Sequence, residues 1–92
     1  MSRKAYLITY EVKHKGDDEE LKEELQKFTK YWHYIDNTWI ILSNKNDANE
    51  IYKILDGKFF TENNLLIVEI NKNYQGWLPQ KAWDWLNNNI EK

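Results

Sequence analysis

Few side chains in this chain could carry out chemistry, because it has no cysteine and only two histidines. Without cysteine, disulfide bonds, thiol catalysis and zinc fingers are excluded. The sequence contains no HExxH motif and no glycine-rich phosphate loop, and two histidines cannot build a histidine-rich metal site. His33 is a candidate general base or phosphate contact because imidazole titrates near neutral pH. A histidine in an aromatic strand is more often packed or hydrogen-bonded.

Aromatic side chains are the stronger candidates for binding. Trp32, His33, Tyr34 and Trp39 lie within one short segment, and Trp77 follows near the C-terminal end. Alternate residues of a strand share a face, so Trp32 and Tyr34 are expected to project together. Rings on a sheet can stack bases at ~1–3 kcal/mol each. These five residues are the predicted ligand-binding residues. The alternative, favoured for Trp39, is a place in the core or in a dimer interface.

The elements that must position these side chains follow from the pattern of apolar residues. Aromatic and β-branched runs predict strands, and apolar residues three and four positions apart predict helices. The Asp36-Asn37 pair between two such runs predicts a hairpin turn. Gly57 is a natural stop for the second helix, and Pro79 fits the first turn of the last one. The predicted elements are strands at 5–12, 32–35, 38–43 and 65–70, and helices within 17–31, around 48–55 and after Pro79.

This order of elements predicts an α+β, ferredoxin-like βαββαβ antiparallel sheet with an extra C-terminal helix. Two helices would cover one face of the sheet, and the terminal helix or a second protomer would cover the other. The run 65–70 is apolar except for Glu69, which is typical of a central strand. In the last helix the apolar stripe comprises Ala82, Trp85, Leu86 and Ile90, with Trp83 outside it.

The composition limits the classes of protein to which the chain could belong. Its 92 residues predict a single domain, residues 1–92. Thirteen basic and fifteen acidic residues give a net charge of −2, which disfavours strong non-specific binding of nucleic acid. No apolar run approaches the ~20 residues of a membrane span, and no signal-peptide pattern is present. A soluble, cytoplasmic protein without a membrane partner is therefore expected.

The strand patterns also carry a family resemblance. The segments concerned are AYLITYE at 5–11, WHY at 32–34 followed by NTWII at 37–41, NLLIVEI at 64–70 and GWL at 76–78. On these segments the chain resembles the SinR-like small bacterial proteins. Those proteins are relatives of the second CRISPR-associated protein, the small adaptor subunit of spacer integration. The resemblance spans nearly the whole chain and implies a ferredoxin-like homodimer.

The resemblance also implies one candidate catalytic residue. In the CRISPR-associated relatives, an aspartate directly after the tyrosine that ends the first strand is the proposed metal ligand for phosphodiester cleavage. Glu11 occupies that position here. Glutamate can bind a hard cation such as Mg²⁺ or Mn²⁺, but its additional methylene displaces the carboxylate. Each protomer would contribute one Glu11 to a shared site. Glu69 could join it, although an alternating carboxylate in a strand more often faces solvent.

These observations give one leading interpretation and two alternatives. We expect a small homodimeric, non-catalytic binding protein, without a cofactor, for a nucleotide-derived ligand or a nucleic acid. The resemblance adds a context of microbial defence or phage counter-defence. The first alternative is a metal-dependent endoribonuclease of the CRISPR-associated type, with Glu11 as its catalytic and metal-binding residue. The second is a protein-interaction subunit that binds its partner through the aromatic sheet face.

Overall fold

The computed structural model describes residues 4–13, 15–28, 30–56 and 63–90. These residues form an antiparallel sheet and three helices, which confirms the predicted α+β class. Gly57, the predicted helix stop, lies outside the described residues. Among the described helices, none combines the length and the apolar character that crossing a bilayer requires. The elements are β1 (Lys4–Glu11), α1 (Lys15–Leu25), β2 (Tyr31–Ile35), β3 (Thr38–Ser43), α2 (Ala48–Leu55), β4 (Asn64–Ile70) and α3 (Gln80–Asn89).

The strands form a four-stranded antiparallel sheet in the order β2-β3-β1-β4. β1 therefore lies inside the sheet, with β3 on one side and β4 on the other. Its Ile8 is opposite both Trp39 of β3 and Ile67 of β4. Directly opposite residues of antiparallel strands point to the same face. These three side chains therefore share one face, and their neighbours in sequence point to the other.

In the sheet that the described strands form, β4 lies at an edge, so the prediction of a central position for the run 65–70 is wrong. Its apolar character has another cause. Leu65 and Ile67 pack against the core under α1 and α2, whereas Ile70 packs against the core under α3. Leu66 and Val68 point to the α3 side and are 58% and 41% exposed. One face of β4 thus packs into the first core, while the other contributes Ile70 to the second core and leaves Leu66 and Val68 exposed.

The first core lies between one face of the sheet and the helices α1 and α2. Leu21 and Leu25 recur at a spacing of four residues and present one apolar stripe of α1 to the sheet. Ile51 and Leu55 do the same for α2, and all four side chains are buried. Their partners on the sheet are the buried side chains of Tyr6, Ile8, Tyr10, Trp39 and Ile41.

A capping box fixes the start of α2. The side chain of Asp47 accepts a hydrogen bond from the backbone N–H of Glu50 at 2.9 Å. The side chain of Glu50 accepts one from the backbone N–H of Asp47, also at 2.9 Å. This reciprocal pair satisfies two backbone donors that a helix start otherwise leaves without partners.

The second core lies between the opposite face of the sheet and α3. Of the two coverings predicted for this face, the terminal helix is the one that the structure shows. Trp83, predicted to lie outside the helix stripe, is partly buried and packs against this core, because the stretch before α3 folds back beside it. The buried side chains are Ala5, Trp32, Ile40 and Leu42 from the sheet and Ala82, Leu86 and Ile90 from the C-terminal region.

The predicted hairpin turn at Asp36-Asn37 is confirmed, because Ile35 of β2 pairs with Thr38 of β3. Asn37 has a φ of 62°, in the left-handed region that asparagine tolerates better than most residues. The carbonyl oxygen of Asn37 accepts a hydrogen bond from the backbone N–H of Tyr10 at 3.1 Å. The turn is therefore attached to the central strand as well as to its own hairpin.

A buried polar network connects the start of α1 with the start of β4. Asp17 is 3% exposed, and its carboxylate accepts a hydrogen bond from the side-chain amide of Asn63 at 2.8 Å. The amide oxygen of Asn63 accepts a second bond from the backbone N–H of Lys13, also at 2.8 Å. A buried carboxylate needs such a donor, because losing its hydration without one is costly.

Candidate functional site

An apolar crevice of about 270 Å³ lies on the α3 side of the sheet. It is enclosed by the sheet, by α3 and by residues 71–79, which connect β4 to α3. Its walls are mostly apolar and aromatic. Small-molecule sites in proteins are typically concave, mostly apolar cavities with a few polar groups at defined positions. The residues that define its shape include Leu7, Trp32, Ile35, Trp77, Leu78 and Trp83.

Trp32 is the fixed ring of the crevice. Its side chain is 2% exposed, and its indole Nε1–H donates a hydrogen bond to the carbonyl oxygen of Ala82 at 3.2 Å. Tyr34 lies beside it, with ring centroids 5.4 Å apart and planes inclined by 58°. The predicted common face of these two side chains is therefore confirmed. The hydrogen bond attaches β2 to α3 and holds the ring in one orientation.

Trp77 is the exposed ring of the crevice. It lines the cavity, yet its side chain is 99% exposed. An exposed indole leaves in contact with water the largest apolar surface that any side chain can bury. Large exposed apolar groups next to a concave surface often mark a binding site. Trp77 is therefore the ring that a ligand in the crevice could cover.

Polar side chains near the crevice are amides rather than charges. Asn71, Asn73 and Gln75 all line the cavity and are exposed. The side-chain oxygen of Asn71 accepts a hydrogen bond from the backbone N–H of Asn73 at 2.8 Å. This oxygen therefore stabilises the local backbone conformation. An amide group offers two donors and an acceptor. The crevice therefore suits a flat, uncharged group that has both donors and acceptors on its edge.

A second cavity of about 380 Å³ adjoins the crevice. The two cavities share Tyr74, Gln75 and Trp83 as lining residues. The rings of Tyr74 and Trp83 are stacked, with centroids 6.2 Å apart and planes inclined by 21°, and they form part of the boundary between the cavities. Lys72 lines the second cavity. A cation thus lies next to a neutral aromatic crevice.

The structure places His33 and Trp39 on the opposite face, away from the crevice. Their rings are stacked, with centroids 4.1 Å apart and planes inclined by 14°. Trp39 is 1% exposed, and its Nε1–H donates to the hydroxyl oxygen of Tyr10 at 3.1 Å. Burial lowers the pKa of His33, and the positive charge of Lys22 lowers it further, against the opposing effects of Asp36 and Asp18. The five predicted ligand-binding residues are thus divided between two faces of the sheet.

Glu11 is the last residue of β1 and does not line the crevice. Its carboxylate accepts a hydrogen bond from the side-chain amide of Asn64 at 2.7 Å, in an exposed position. The strand register places Glu11 opposite Asn64 and Glu69 opposite Tyr6, so the two glutamates lie at opposite ends of the β1–β4 pair. Within the described ranges, no three histidine, aspartate or glutamate side chains form a group that could hold a metal ion.

Several crevice residues were not predicted from the sequence, namely Tyr74, Trp83 and the three amides. A usable signal existed in the stretch between β4 and Pro79, because an irregular polar segment with an embedded tryptophan is typical of a binding loop. Comparisons of the chain with protein-family models, with curated proteins and with solved structures gave no match.

Proposed function

We propose that this protein is a non-catalytic binding protein that takes a small nucleotide-derived ligand in the crevice beside Trp77. The observation that carries the proposal is an almost wholly exposed indole at the opening of an apolar, aromatic cavity. The family resemblance supports a homodimer and a role in microbial defence or phage counter-defence. The strand order β2-β3-β1-β4 supports a ferredoxin-like architecture to which α3 is added.

The chemistry of the crevice favours a nucleobase. A base is flat, aromatic and uncharged, and it stacks on an aromatic side chain at ~1–3 kcal/mol. Its edge presents donors and acceptors, which the amides of Asn71, Asn73 and Gln75 can match. The cavity volume is near the lower limit of small-molecule sites, which run from roughly 300 to 1,000 Å³. This size suits one base or nucleoside rather than a longer segment of nucleic acid.

The charge distribution favours a small nucleotide over a long strand. The chain has a net charge of −2, whereas binding of a nucleic-acid backbone depends on several phosphate contacts with lysine or arginine. Lys72 lies in the adjoining cavity, which shares Tyr74 and Trp83 with the crevice. A base in the crevice would thus place an attached phosphate group toward a cation.

Calorimetric titration with the four common nucleoside monophosphates tests the proposal. The variant Trp77→Ala is expected to weaken binding about tenfold or more, because it removes one stacking contact. Tyr52→Ala is the matched control, since Tyr52 is an exposed ring on α2, which covers the other face. We expect this control to bind like the wild type.

Two results would contradict the proposal. The first is the absence of any nucleotide-induced rise in melting temperature, together with no small molecule retained by the purified protein in native mass spectrometry. The second is an equal loss of affinity in Trp77→Ala and Tyr52→Ala, which would show that the effect does not arise in the crevice.

A further inference from the structure

The two edges of the sheet differ in how well they are suited to pairing. β2 is short, and its register with β3 shifts between Trp32 and Ile35. β4 keeps one regular register with β1 from Ala5↔Ile70 to Glu11↔Asn64. Bulges and shifts make an edge a poor template, whereas a regular edge offers its backbone N–H and C=O groups to another strand. In the part of the chain that the structure describes, no strand pairs with the outer side of β4.

β4 also lacks the usual protection against edge pairing. Its sequence, NLLIVEI, contains no proline and no lysine, and Glu69 is its one charged residue. Glu69 lies opposite Tyr6, on the face that carries the first core. The Nζ of Lys4 is 4.0 Å from its carboxylate, so that charge has a partner of opposite sign within its own protomer.

The exposed side chains of this edge are aliphatic. Leu66 and Val68 are among the exposed large hydrophobic residues of the protein. They alternate with Leu65 and Ile67, which pack into the first core. The strand therefore presents two neighbouring aliphatic side chains on one face, beside an edge with which no other described strand pairs.

We propose that a second copy of the chain pairs antiparallel with β4, about a two-fold axis at Ile67. This inference rests on the homodimer of the proposed function and names its surface. In that register, Leu66 is opposite Val68 of the partner subunit, and the same pair forms a second time across the axis. Glu69 faces a leucine position rather than another glutamate. The two sheets become one continuous sheet.

β4 is self-complementary, and a second copy of the chain is therefore the partner that best fits this edge. An isologous interface uses the same surface on both subunits, so each residue must suit its mate under the two-fold operation. Directly opposite aliphatic residues stabilise an antiparallel pair, and like charges directly opposite destabilise it. In the register centred on Ile67, aliphatic residues are directly opposite each other in two Leu66–Val68 pairs. No two glutamates are directly opposite each other.

Solution mass measurements by light scattering test the proposal. We expect the wild type to have twice the 11.3 kDa mass of one chain and Leu66→Lys/Val68→Lys to have the mass of a monomer with unchanged circular dichroism. The matched control is Tyr52→Lys/Ile54→Lys, which changes two exposed apolar residues of α2 and should remain dimeric. A monomeric wild type would overturn both the homodimer and its surface. A dimer that survives Leu66→Lys/Val68→Lys would overturn the surface alone.

Disulfide trapping tests the register without depending on the lysine variant. The chain has no cysteine of its own, so an introduced thiol is unambiguous. Opposite residues have Cβ atoms about 4.5–5.5 Å apart, whereas diagonal neighbours are at about 7–8 Å, beyond the normal reach of a disulfide. Mixed Leu66→Cys and Val68→Cys chains should therefore crosslink, while each variant alone should not. Equal crosslinking of each variant alone, or none in the mixture, would overturn this register.

Nucleotide titration of the same proteins tests ligand binding independently of dimerisation through β4. The crevice residues lie between the sheet, α3 and residues 71–79, so Leu66→Lys/Val68→Lys should bind nucleotide like the wild type. A wild type that is dimeric but binds no nucleotide would leave the edge pairing intact and overturn only the ligand.

Discussion

The imidazole of His33 lies almost flat on the indole of Trp39, with ring centroids 4.1 Å apart and planes inclined by 14°. The indole in turn donates its N–H to the hydroxyl oxygen of Tyr10. The imidazole of His33 is partly buried against the first core, and burial disfavours the charged imidazolium. Burial therefore favours the neutral form of His33, which packs against Trp39.

The stability of the protein should depend on pH through His33. Burial holds the pKa of His33 in the folded protein below its ordinary value of 6.5, so the unfolded chain takes up this proton more readily. The stabilisation by neutral His33 is fully present above pH 6.5 and is lost as the pH falls from there through the folded-state pKa.

His33→Phe, which keeps a flat ring but cannot titrate, measures this effect. Between about pH 8 and about pH 5, the free energy of unfolding should fall more for the wild type than for His33→Phe. Urea denaturation at several pH values provides the comparison. The other histidine is present in both proteins and cancels in the difference. Parallel pH profiles for the two proteins would contradict the prediction.

Trp32→Phe should destabilise the protein by about 1–3 kcal/mol, because it removes the buried hydrogen bond to the carbonyl oxygen of Ala82 and leaves part of the indole volume empty. Trp77→Phe is the control, since that side chain is almost wholly exposed. It should change the free energy of unfolding by no more than about 0.5 kcal/mol. Chemical denaturation measures both, and similar losses in the two variants would contradict the assigned roles.

Asn63→Ala should cost about 2–3 kcal/mol, because it leaves the buried carboxylate of Asp17 without this donor and the N–H of Lys13 without this acceptor. The same substitution in an Asp17→Ala background should cost clearly less, since the carboxylate is then absent. A double-mutant cycle measured by urea denaturation isolates this coupling. Additive effects of the two substitutions would show that the network is not an energetic unit.

Asp47→Ala should cost about 1 kcal/mol, because it removes the side chain that caps the start of α2. Asp47→Ser, which retains a capping oxygen, should recover most of that loss. Thermal denaturation of the three proteins under identical conditions provides the ranking. A serine variant no more stable than the alanine variant would indicate that the cap does not contribute to stability.

The parts of the fold that the sequence predicts well are those with local causes. The Asp36-Asn37 turn, the apolar stripes of the helices and the common face of Trp32 and Tyr34 all follow from residue type and short-range periodicity. The alternation rule that groups Trp32 with Tyr34 also assigns His33 to the other face. The sequence alone therefore predicts that Trp32 and Tyr34 lie on one face of the sheet and His33 on the other.

The parts that it does not predict depend on contacts between distant residues. The run 65–70 has the apolar pattern of a central strand, but strand order is decided by pairing across the whole sheet, and β4 lies at an edge. Trp83 falls outside the helix stripe and yet stacks with Tyr74, because the irregular chain before α3 returns to the sheet. No periodic signal marks such a path.

The position of Trp32 under α3 affects how the chain folds as it is synthesised. Trp32 and its hydrogen-bond partner Ala82 are separated by 50 positions, so the β2–β3 hairpin leaves the ribosome long before the helix that covers it. During that interval Trp32, Ile40 and Leu42 remain uncovered on the nascent chain. Exposed apolar surface of this kind promotes aggregation and attracts chaperones. The second core can therefore be completed only after α3 has been synthesised.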